Sequence, residues 1–267
     1  MAPIWDAEKH VFVALMTIGD YVRALLVCHT QNISMLDLST RSIADMLCSP
    51  LVTYQHNDFH ALDADDSVQQ LCLQLTRLSA DYVPIVDPDA GSLVSVLGHL
   101  DVVHLLDQAA KQHPNLFFET LEQMCIGTYG DRVVTAPYTA MLPEVIATLA
   151  QHNLSGIPIV DHNHRVVGLY HKTDVTFITK AADPDAVLTN LAAFSVSDVL
   201  QIQQQQAMAG EDRGPAQVLI TCLISDRIDV VLAAMMNART TRIVCIDGVG
   251  RCLGIISVKD IVHYYLG

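Results

Sequence analysis

The sequence predicts an α+β protein assembled from one repeated β-α-β-β-α unit. The same pattern occurs four times: a short apolar run ending in Asp, a polar or Gly-containing turn, a second apolar run, and a second Asp that opens a further apolar segment. That second Asp follows the start of the first apolar run by 16 or 17 residues, and the starts recur every 74 to 86 residues. A fixed unit at a regular spacing indicates an internal repeat. The apolar runs start at Pro3, Pro84, Pro158 and Val244.

The first copy, residues 1–28, contains only the second half of the unit. Short apolar runs bounded by polar residues predict strands at Pro3 to Asp6 and Val11 to Met16, followed by a helix from about Asp20. The strand and helix that open the other copies are not found here, so we expect apolar side chains to stay uncovered. These side chains are Trp5, Phe12 and Leu15. A polar linker is predicted from His29 to Leu38.

The other three copies follow the full order of elements. The second spans residues 43–108, with leucines around Leu71 and Leu75 that predict a buried helix. The third spans residues 126–182, and Pro143 fits the first turn of its helix. The fourth spans residues 194–267 and includes a helix leading in from Ser195.

Composition limits the classes of function. A chain of 267 residues with 51% hydrophobic and 16% charged residues is typical of a well-buried globular protein. We find no signal peptide and no apolar run of the roughly 18 residues that a membrane span needs, so we expect a soluble protein. The net charge of -14 opposes nonspecific binding to nucleic acid or to anionic membranes. It leaves room for a local phosphate pocket, because salt screens charges beyond roughly 8 Å.

The cysteines and histidines predict no disulfide or metal site. Seven cysteines, an odd number without a CxxC pair, fit buried reduced thiols and hence the cytoplasm or the nucleus. His162 and His164 share a tight turn without a nearby carboxylate or Cys, a pattern that is more often solvated than metal-binding. The sequence also has no P-loop, GxSxG or HExxH motif, so we predict that the protein is not an enzyme.

The second Asp of each copy is the candidate functional residue, and it has two interpretations. A carboxylate in the first turn caps a helix and gains roughly 0.3 to 1 kcal/mol from its dipole. Only two copies have the Thr or Ser partner of a capping box three residues earlier, yet all four copies use Asp. The alternative is that these carboxylates accept hydrogen bonds from a ribose diol. The four residues are Asp20, Asp101, Asp174 and Asp260.

The repeat resembles the CBS domain, and four in tandem resemble the gamma subunit family of AMP-activated protein kinase. The similarity lies in APIWD with MTIGDYV at the start, LEQMCIGTYGDRV from Leu121, PIVDHNHRVVGLYHKTDV in the third copy and TRIVCIDGVGRCLGIISVKDIV at the end. It covers essentially the whole chain. The resemblance implies tandem CBS repeats that pair into two Bateman modules, the first of them incomplete.

The same resemblance implies a regulatory role and a set of binding residues. It implies a noncatalytic subunit that senses AMP, ADP or ATP, needs no cofactor, and assembles with a kinase alpha subunit and a scaffold beta subunit. The repeated aspartates would bind ribose. Residues that are also implied to contact nucleotide are Thr128, Val133, Ser155, Lys172, Arg242 and Ser257. Taken singly, Thr128 and Ser155 are better explained as turn residues and Arg242 as a strand-edge charge; taken together within this repeat, they favour binding.

The sequence also departs from the family pattern. The family carries Lys-x-His-Arg before the strand of its second unit, where this chain has Ser79 to Tyr82, and Leu100 and Thr241 replace a lysine and a histidine. Most of the cations that would meet phosphate are therefore absent. This loss favours an alternative, in which the protein is a scaffold of the same complex that has lost its response to nucleotides.

Overall fold

The computed structural model describes residues 2–31, 33–43, 45, 59–77, 81–208 and 219–266. These residues form strands and helices in the repeated order that the sequence predicts, which confirms the α+β fold. The beginning of the predicted second repeat, at residues 46–58, lies outside the described part of the chain. Among the described residues, no helix is both long and apolar enough to cross a membrane.

The first repeat is an antiparallel strand pair followed by a helix. Trp5 packs edge-on against Phe12 with ring centroids 4.8 Å apart, yet Trp5 stays 43% exposed. Phe12 and Leu15 are half-buried, in contrast to the prediction. Val11 and Val13 are exposed instead, on the face of the strand opposite to Phe12. The elements are β1 (Ala2–Asp6), β2 (Val11–Met16) and α1 (Ile18–Gln31).

The predicted linker at His29 to Leu38 is partly helical. The first helix continues to Gln31, and a short helix α2 (Met35–Thr40) follows. The Ser34 side chain caps this helix by accepting a hydrogen bond from the backbone N–H of Asp37. The cap explains why a polar segment forms a helix where composition alone predicts a linker.

The second repeat has the complete order of elements. A parallel pair joins its first strand to the central one, and an antiparallel hairpin adds the third. The helix that follows the first strand buries Leu71, Cys72 and Leu75. The elements are β3 (Leu62–Asp63), α3 (Val68–Arg77), β4 (Tyr82–Asp87), β5 (Ser92–Gly98) and α4 (His99–Gln112).

The third repeat ends differently from the prediction of an α-helix at Asp174. Residues Lys172–Thr176 form a 3-10 turn, and only then does a short α-helix begin. Thr173, Val175 and Thr176 are β-branched, and such residues lower helix propensity. A connector helix α5 (Leu121–Met124) and strand β6 (Thr128–Tyr129) come first. The elements that follow are β7 (Ala136–Pro137), α6 (Leu142–Gln151), β8 (Gly156–Val160), β9 (Val166–His171) and α7 (Phe177–Lys180).

One helix precedes the predicted fourth repeat, and a second helix opens it. Its three strands share a sheet with β6, which pairs antiparallel with the last of them. The elements are α8 (Pro184–Thr189), α9 (Val196–Met208), β10 (Thr221–Leu223), α10 (Ile228–Ala238), β11 (Arg242–Ile246), β12 (Cys252–Ser257) and α11 (Val258–Leu266).

Each of two compact units combines alternate repeats. Unit 1 comprises residues 1–59, 135–161 and 167–212, and contains the first repeat, most of the third and helix α9. Unit 2 comprises residues 60–134, 162–166 and 213–267, and contains most of the second and fourth repeats. In unit 1, α1 packs against α6. In unit 2, α4 packs against α10 and α11 and buries Val103, Leu232 and Ile261 completely. The junction of each repeat is thus carried by helices that are anchored in the core of its unit.

Candidate functional site

All four repeated aspartates cap the junction between strand and helix. In each case Oδ2 accepts a hydrogen bond from the backbone N–H of the residue three positions earlier, at 2.7 or 2.8 Å. Asp20 and Asp260 also accept a hydroxyl hydrogen bond, from Thr17 and Ser257 respectively. The capping interpretation therefore holds in every copy, with or without the Thr or Ser partner.

The same side-chain hydrogen bond also occurs outside these junctions, and sequence reasoning missed it: Asp198 caps α9, whereas Asp66 and Asp226 close the turn directly before a helix. Asp66, Asp198 and Asp226 each accept, through Oδ2, the N–H of the residue three positions earlier. The signal was present in the sequence, because each is an Asp that lies shortly before or within the first turn of a helix. Capping alone thus explains why Asp recurs, and a ligand role needs further support from the surroundings of each junction.

One carboxylate can cap and also bind, because its two oxygens are separate acceptors. Oδ2 of Asp260 is used by the cap, whereas Oδ1 receives no hydrogen bond from the described part of the chain. At Asp20, Oδ1 is held by Nη2 of Arg23. Asp260 thus keeps an acceptor for a ligand hydroxyl, while the second oxygen of Asp20 already has a cation.

Unit 1 brings together Asp20, Ser155, Lys172 and Asp174. The backbone N–H of Lys172 donates to the carbonyl oxygen of Ser155 at 3.0 Å. Its ammonium donates to Oδ1 of Asn153 at 3.3 Å, and a methyl group placed on Gly19 would lie 3.8 Å from it. The Lys172 side chain is thus a buried cation, only 9% exposed, beside the start of α1 and the third-repeat junction.

Unit 2 brings Arg242, Ser257 and Asp260 to one end of a sheet. Arg242 and Ser257 are partners in the antiparallel pair of β11 and β12, and the Ser257 hydroxyl donates to Asp260 at 2.7 Å. Burial lowers the pKa of the Arg242 guanidinium, while the carboxylates of Asp81 and Asp260 raise it. Arg242 remains charged, because an arginine titrates far above neutral pH.

Thr128 and Val133 lie in the same unit. Thr128 is half-buried on β6 opposite Ile255, close along β12 to Ser257. Val133 follows a 3-10 turn, and its backbone N–H already donates to the carbonyl oxygen of Gly130. The predicted site residues therefore form two groups, one within each unit, and Arg242 belongs to a different unit from Asp174.

A carboxylate near the cations of unit 2 was not expected from the sequence. The Lys259 ammonium lies 2.7 Å from Oδ1 of Asp81. The Asp81 carbonyl accepts a hydrogen bond from the His99 ring, which is only 5% exposed. Burial, together with the charge of Lys259, lowers the pKa of His99 to about 4, so this ring is neutral at pH 7. Burial raises the pKa of the Tyr82 hydroxyl, and the nearby charges of Asp81 and Asp101 raise it further.

The structure also has a cleft that contains none of the predicted site residues. It lies in unit 1 and measures about 310 Å³. Within the described ranges, no group of three or more His, Cys, Asp or Glu side chains is arranged to hold a metal ion. The cleft is lined by Cys28, His29, Ile33, Ser34, Asp185, Leu188 and Thr189.

The CBS-domain family is found in two segments of the chain, as predicted for the third and fourth copies. The CBS-domain model matches residues 129–178 and 216–267, within the third and fourth repeats. Over 99% of its length the chain is 26% identical to the 5'-AMP-activated protein kinase subunit gamma of Dictyostelium discoideum, and covers 45% of that protein. It is 24% identical to the human subunit gamma-3 over 98% of its length, and covers 51% of that protein. The chain thus spans about half the length of these curated relatives.

Solved structures share the fold. A Methanocaldococcus jannaschii protein described as an archaeal homologue of g-AMPK superposes with a TM-score of 0.71 at 16% identity, over 98% of this chain and 87% of its own. An uncharacterised conserved protein from Pyrococcus horikoshii gives a TM-score of 0.53 at 16% identity, over 83% of both chains. This chain therefore shares its fold with these two proteins.

Proposed function

We propose that the protein is a noncatalytic regulatory subunit of an AMP-activated protein kinase complex that binds adenine nucleotides. The similarity to gamma subunits from a slime mould and from human, over 98–99% of this chain, is the observation that carries the proposal. The relatives are longer than this chain, so the assignment of their activity and partners to it is part of the proposal.

The third-repeat junction is the place that we propose for AMP. It combines a buried cation, Lys172, with the carboxylate of Asp174 and the half-buried Ser155. A buried cation suits a phosphate because charge-assisted hydrogen bonds are about twice as strong as neutral ones. The carboxylate suits the ribose diol, whose hydroxyl groups donate hydrogen bonds.

Isothermal titration calorimetry of the purified chain with AMP, ADP and ATP tests this site. We expect Asp174→Ala to lower the affinity for AMP by about tenfold or more, since the substitution removes a charged acceptor. Asp198→Ala is the matched control: Asp198 caps α9 in unit 1 through the same oxygen, at a helix outside the junctions. Tight AMP binding that survives Asp174→Ala contradicts the assignment, as does an equal loss in the control.

Assembly with a kinase subunit and a scaffold subunit is the second part of the proposal. Trp5, Val11 and Val13 leave apolar surface exposed on the first repeat, and such surface is typical of interaction sites. We expect the three subunits to copurify after coexpression, and Val13→Lys to reduce the yield of the complex. Val94→Lys, at another exposed strand position, is the control. A monodisperse monomer with no affinity for either partner would rule out this part.

A second candidate, a scaffold without nucleotide response, is favoured by one observation. Lys259 of unit 2 is paired with the Asp81 carboxylate, and the same carboxylate acts on Arg242. Coexpressed complexes distinguish the candidates: the scaffold assembles, yet neither the complex nor the chain binds AMP in calorimetry.

A further inference from the structure

The fourth-repeat junction of unit 2 combines cations with a carboxylate from a distant part of the chain. Arg242 begins β11, and Lys259 lies in the first turn of α11. Asp81, directly before β4, forms an ion pair of 2.7 Å with Lys259. The charge of Asp81 also acts on Arg242. One carboxylate of the second repeat thus interacts with the cations of the fourth.

The backbone holds Asp81 in this place. Tyr82, the next residue, pairs with Gly98 across the antiparallel strands. A methyl group on Gly98 would lie 3.0 Å from the Asp81 carbonyl oxygen, so the two segments are in close contact. The buried His99 ring donates to that same oxygen. The Asp81 carboxylate is therefore carried on a fixed backbone, even though its side chain is 46% exposed.

The charges at this junction cancel. Arg242 and Lys259 are opposed by Asp81 and Asp260, and the His99 ring is neutral at pH 7. The phosphate of a nucleoside monophosphate brings close to two negative charges. It would have to compete with Asp81 for the same ammonium and guanidinium groups. The affinity of a nucleoside without a phosphate would not be lowered by this competition.

We propose that Asp81 determines the ligand specificity of unit 2: its carboxylate takes the place of a phosphate beside Lys259 and Arg242, so that this unit binds adenosine in preference to AMP. The Asp260 carboxylate and the Ser257 hydroxyl then serve the ribose. This inference rests on the proposed function, because it assumes that the CBS repeats of this chain accept adenine-containing ligands.

Calorimetry with adenosine and AMP tests the inference on the full chain carrying Asp174→Ala, which silences the proposed site in unit 1. In this background we expect adenosine to bind more tightly than AMP. Adding Asp81→Asn removes the competing charge, and the affinity for AMP should rise about two- to fivefold, the range of a half-exposed ion pair. Adenosine should not change.

Two further variants locate the effect. Arg242→Ala, added to Asp81→Asn, should cancel the gain in AMP affinity, because the phosphate then loses the guanidinium that Asp81→Asn made available. Asp89→Asn removes the same charge from an exposed turn at the other end of β4 and should leave both affinities unchanged.

The possible outcomes separate the two proposals. AMP binding as tightly as adenosine in the Asp174→Ala background, or an equal change of both ligands with Asp81→Asn, overturns the role of Asp81. Loss of both ligands in the Asp174→Ala background, while the wild type binds AMP, also overturns it but leaves the third-repeat site standing. A wild type that binds neither ligand overturns the proposed function and this inference together.

Discussion

The third-repeat junction of unit 1 and the fourth-repeat junction of unit 2 share a sequence pattern but differ in how they hold a cation. Lys172 is 9% exposed, and its ammonium donates to the amide oxygen of Asn153. The Lys259 side chain is 40% exposed and is paired with the carboxylate of Asp81. Asn153 and Asp81, which contact these two ammonium groups, both lie outside the repeated Asp motif. The chemistry of each junction is therefore set by its neighbours rather than by the motif itself.

The largest effect that we expect concerns His99, whose buried ring donates a hydrogen bond to the Asp81 carbonyl oxygen at the unit 2 junction. Its folded-state pKa of about 4 lies below the ordinary value of 6.5, so the unfolded chain binds the proton first as pH falls. The free energy of unfolding should therefore decrease between pH 6.5 and 4, by up to about 3 kcal/mol from this group. Urea unfolding of the wild type and of His99→Asn measures it: the variant should lack this part of the pH dependence. Parallel curves would mean that His99 is not buried as a neutral ring.

The second effect compares glycines at two junctions. A methyl group on Gly98 would lie 2.7 Å from Cδ1 of Tyr82 and 3.0 Å from the Asp81 carbonyl oxygen. Gly98→Ala should therefore cost about 1 to 3 kcal/mol of unfolding free energy. At Gly19 in unit 1, the nearest atoms would be 3.4 and 3.8 Å away, and Gly19→Ala should be neutral or gain about 0.5 kcal/mol from helix propensity. Denaturant titration of both variants measures the two changes in unfolding free energy, and equal losses would contradict the expected contrast.

The third effect compares the caps of Asp260 and Asp101. Asp260 accepts from both the N–H and the hydroxyl of Ser257, whereas the cap of Asp101 accepts the N–H of Gly98. We expect Asp260→Ala to cost about 1 to 2 kcal/mol and Asp101→Ala about 0.5 to 1 kcal/mol. Asp198→Ala, which removes a cap outside the repeated junctions, is the reference in the same unfolding assay. A larger cost at Asp101 than at Asp260 would contradict this order.

The smallest effect concerns two buried tyrosines, one in each unit. The hydroxyl groups of Tyr170 and Tyr129 are buried and have no hydrogen-bond partner among the described residues. Replacing either by Phe removes a polar group that burial leaves unpaired, so each variant should be as stable as the wild type or up to about 1 kcal/mol more stable. Thermal unfolding measures this, and a marked loss in one variant would reveal a hydrogen bond to that hydroxyl.

The repeat and its elements were predictable because they depend on local patterns. Apolar runs and turn residues near Pro84, Pro158 and Val244 are enough to place the strands and the helices that follow them. The sequence also identified the aspartates at the junctions, although the structure assigns them a capping role in every copy.

The surroundings of the junctions were not predictable in this way. The pairing of Asp81 with Lys259 joins the second repeat to the fourth, and no local pattern records which distant segments meet. The resemblance implies one set of nucleotide contacts, whereas the structure groups Arg242 with Ser257 and Asp260 in unit 2, apart from Lys172 and Asp174. The 3-10 turn at Lys172–Thr176 depends on several β-branched residues, and the repeat pattern, which records only apolar runs, turns and Asp positions, does not show them.

The alternation of repeats between the units has a consequence for synthesis on the ribosome. Neither unit is continuous in the chain, since unit 1 needs residues up to about 212 and unit 2 needs residues from 213 onward. The second repeat must therefore wait for the fourth, with its apolar helix faces unpaired during the interval. At roughly 5 to 20 residues per second this interval lasts several seconds, long enough for a chaperone to engage the nascent chain. The first repeat waits for the third in the same way, so folding of both units should depend on such protection.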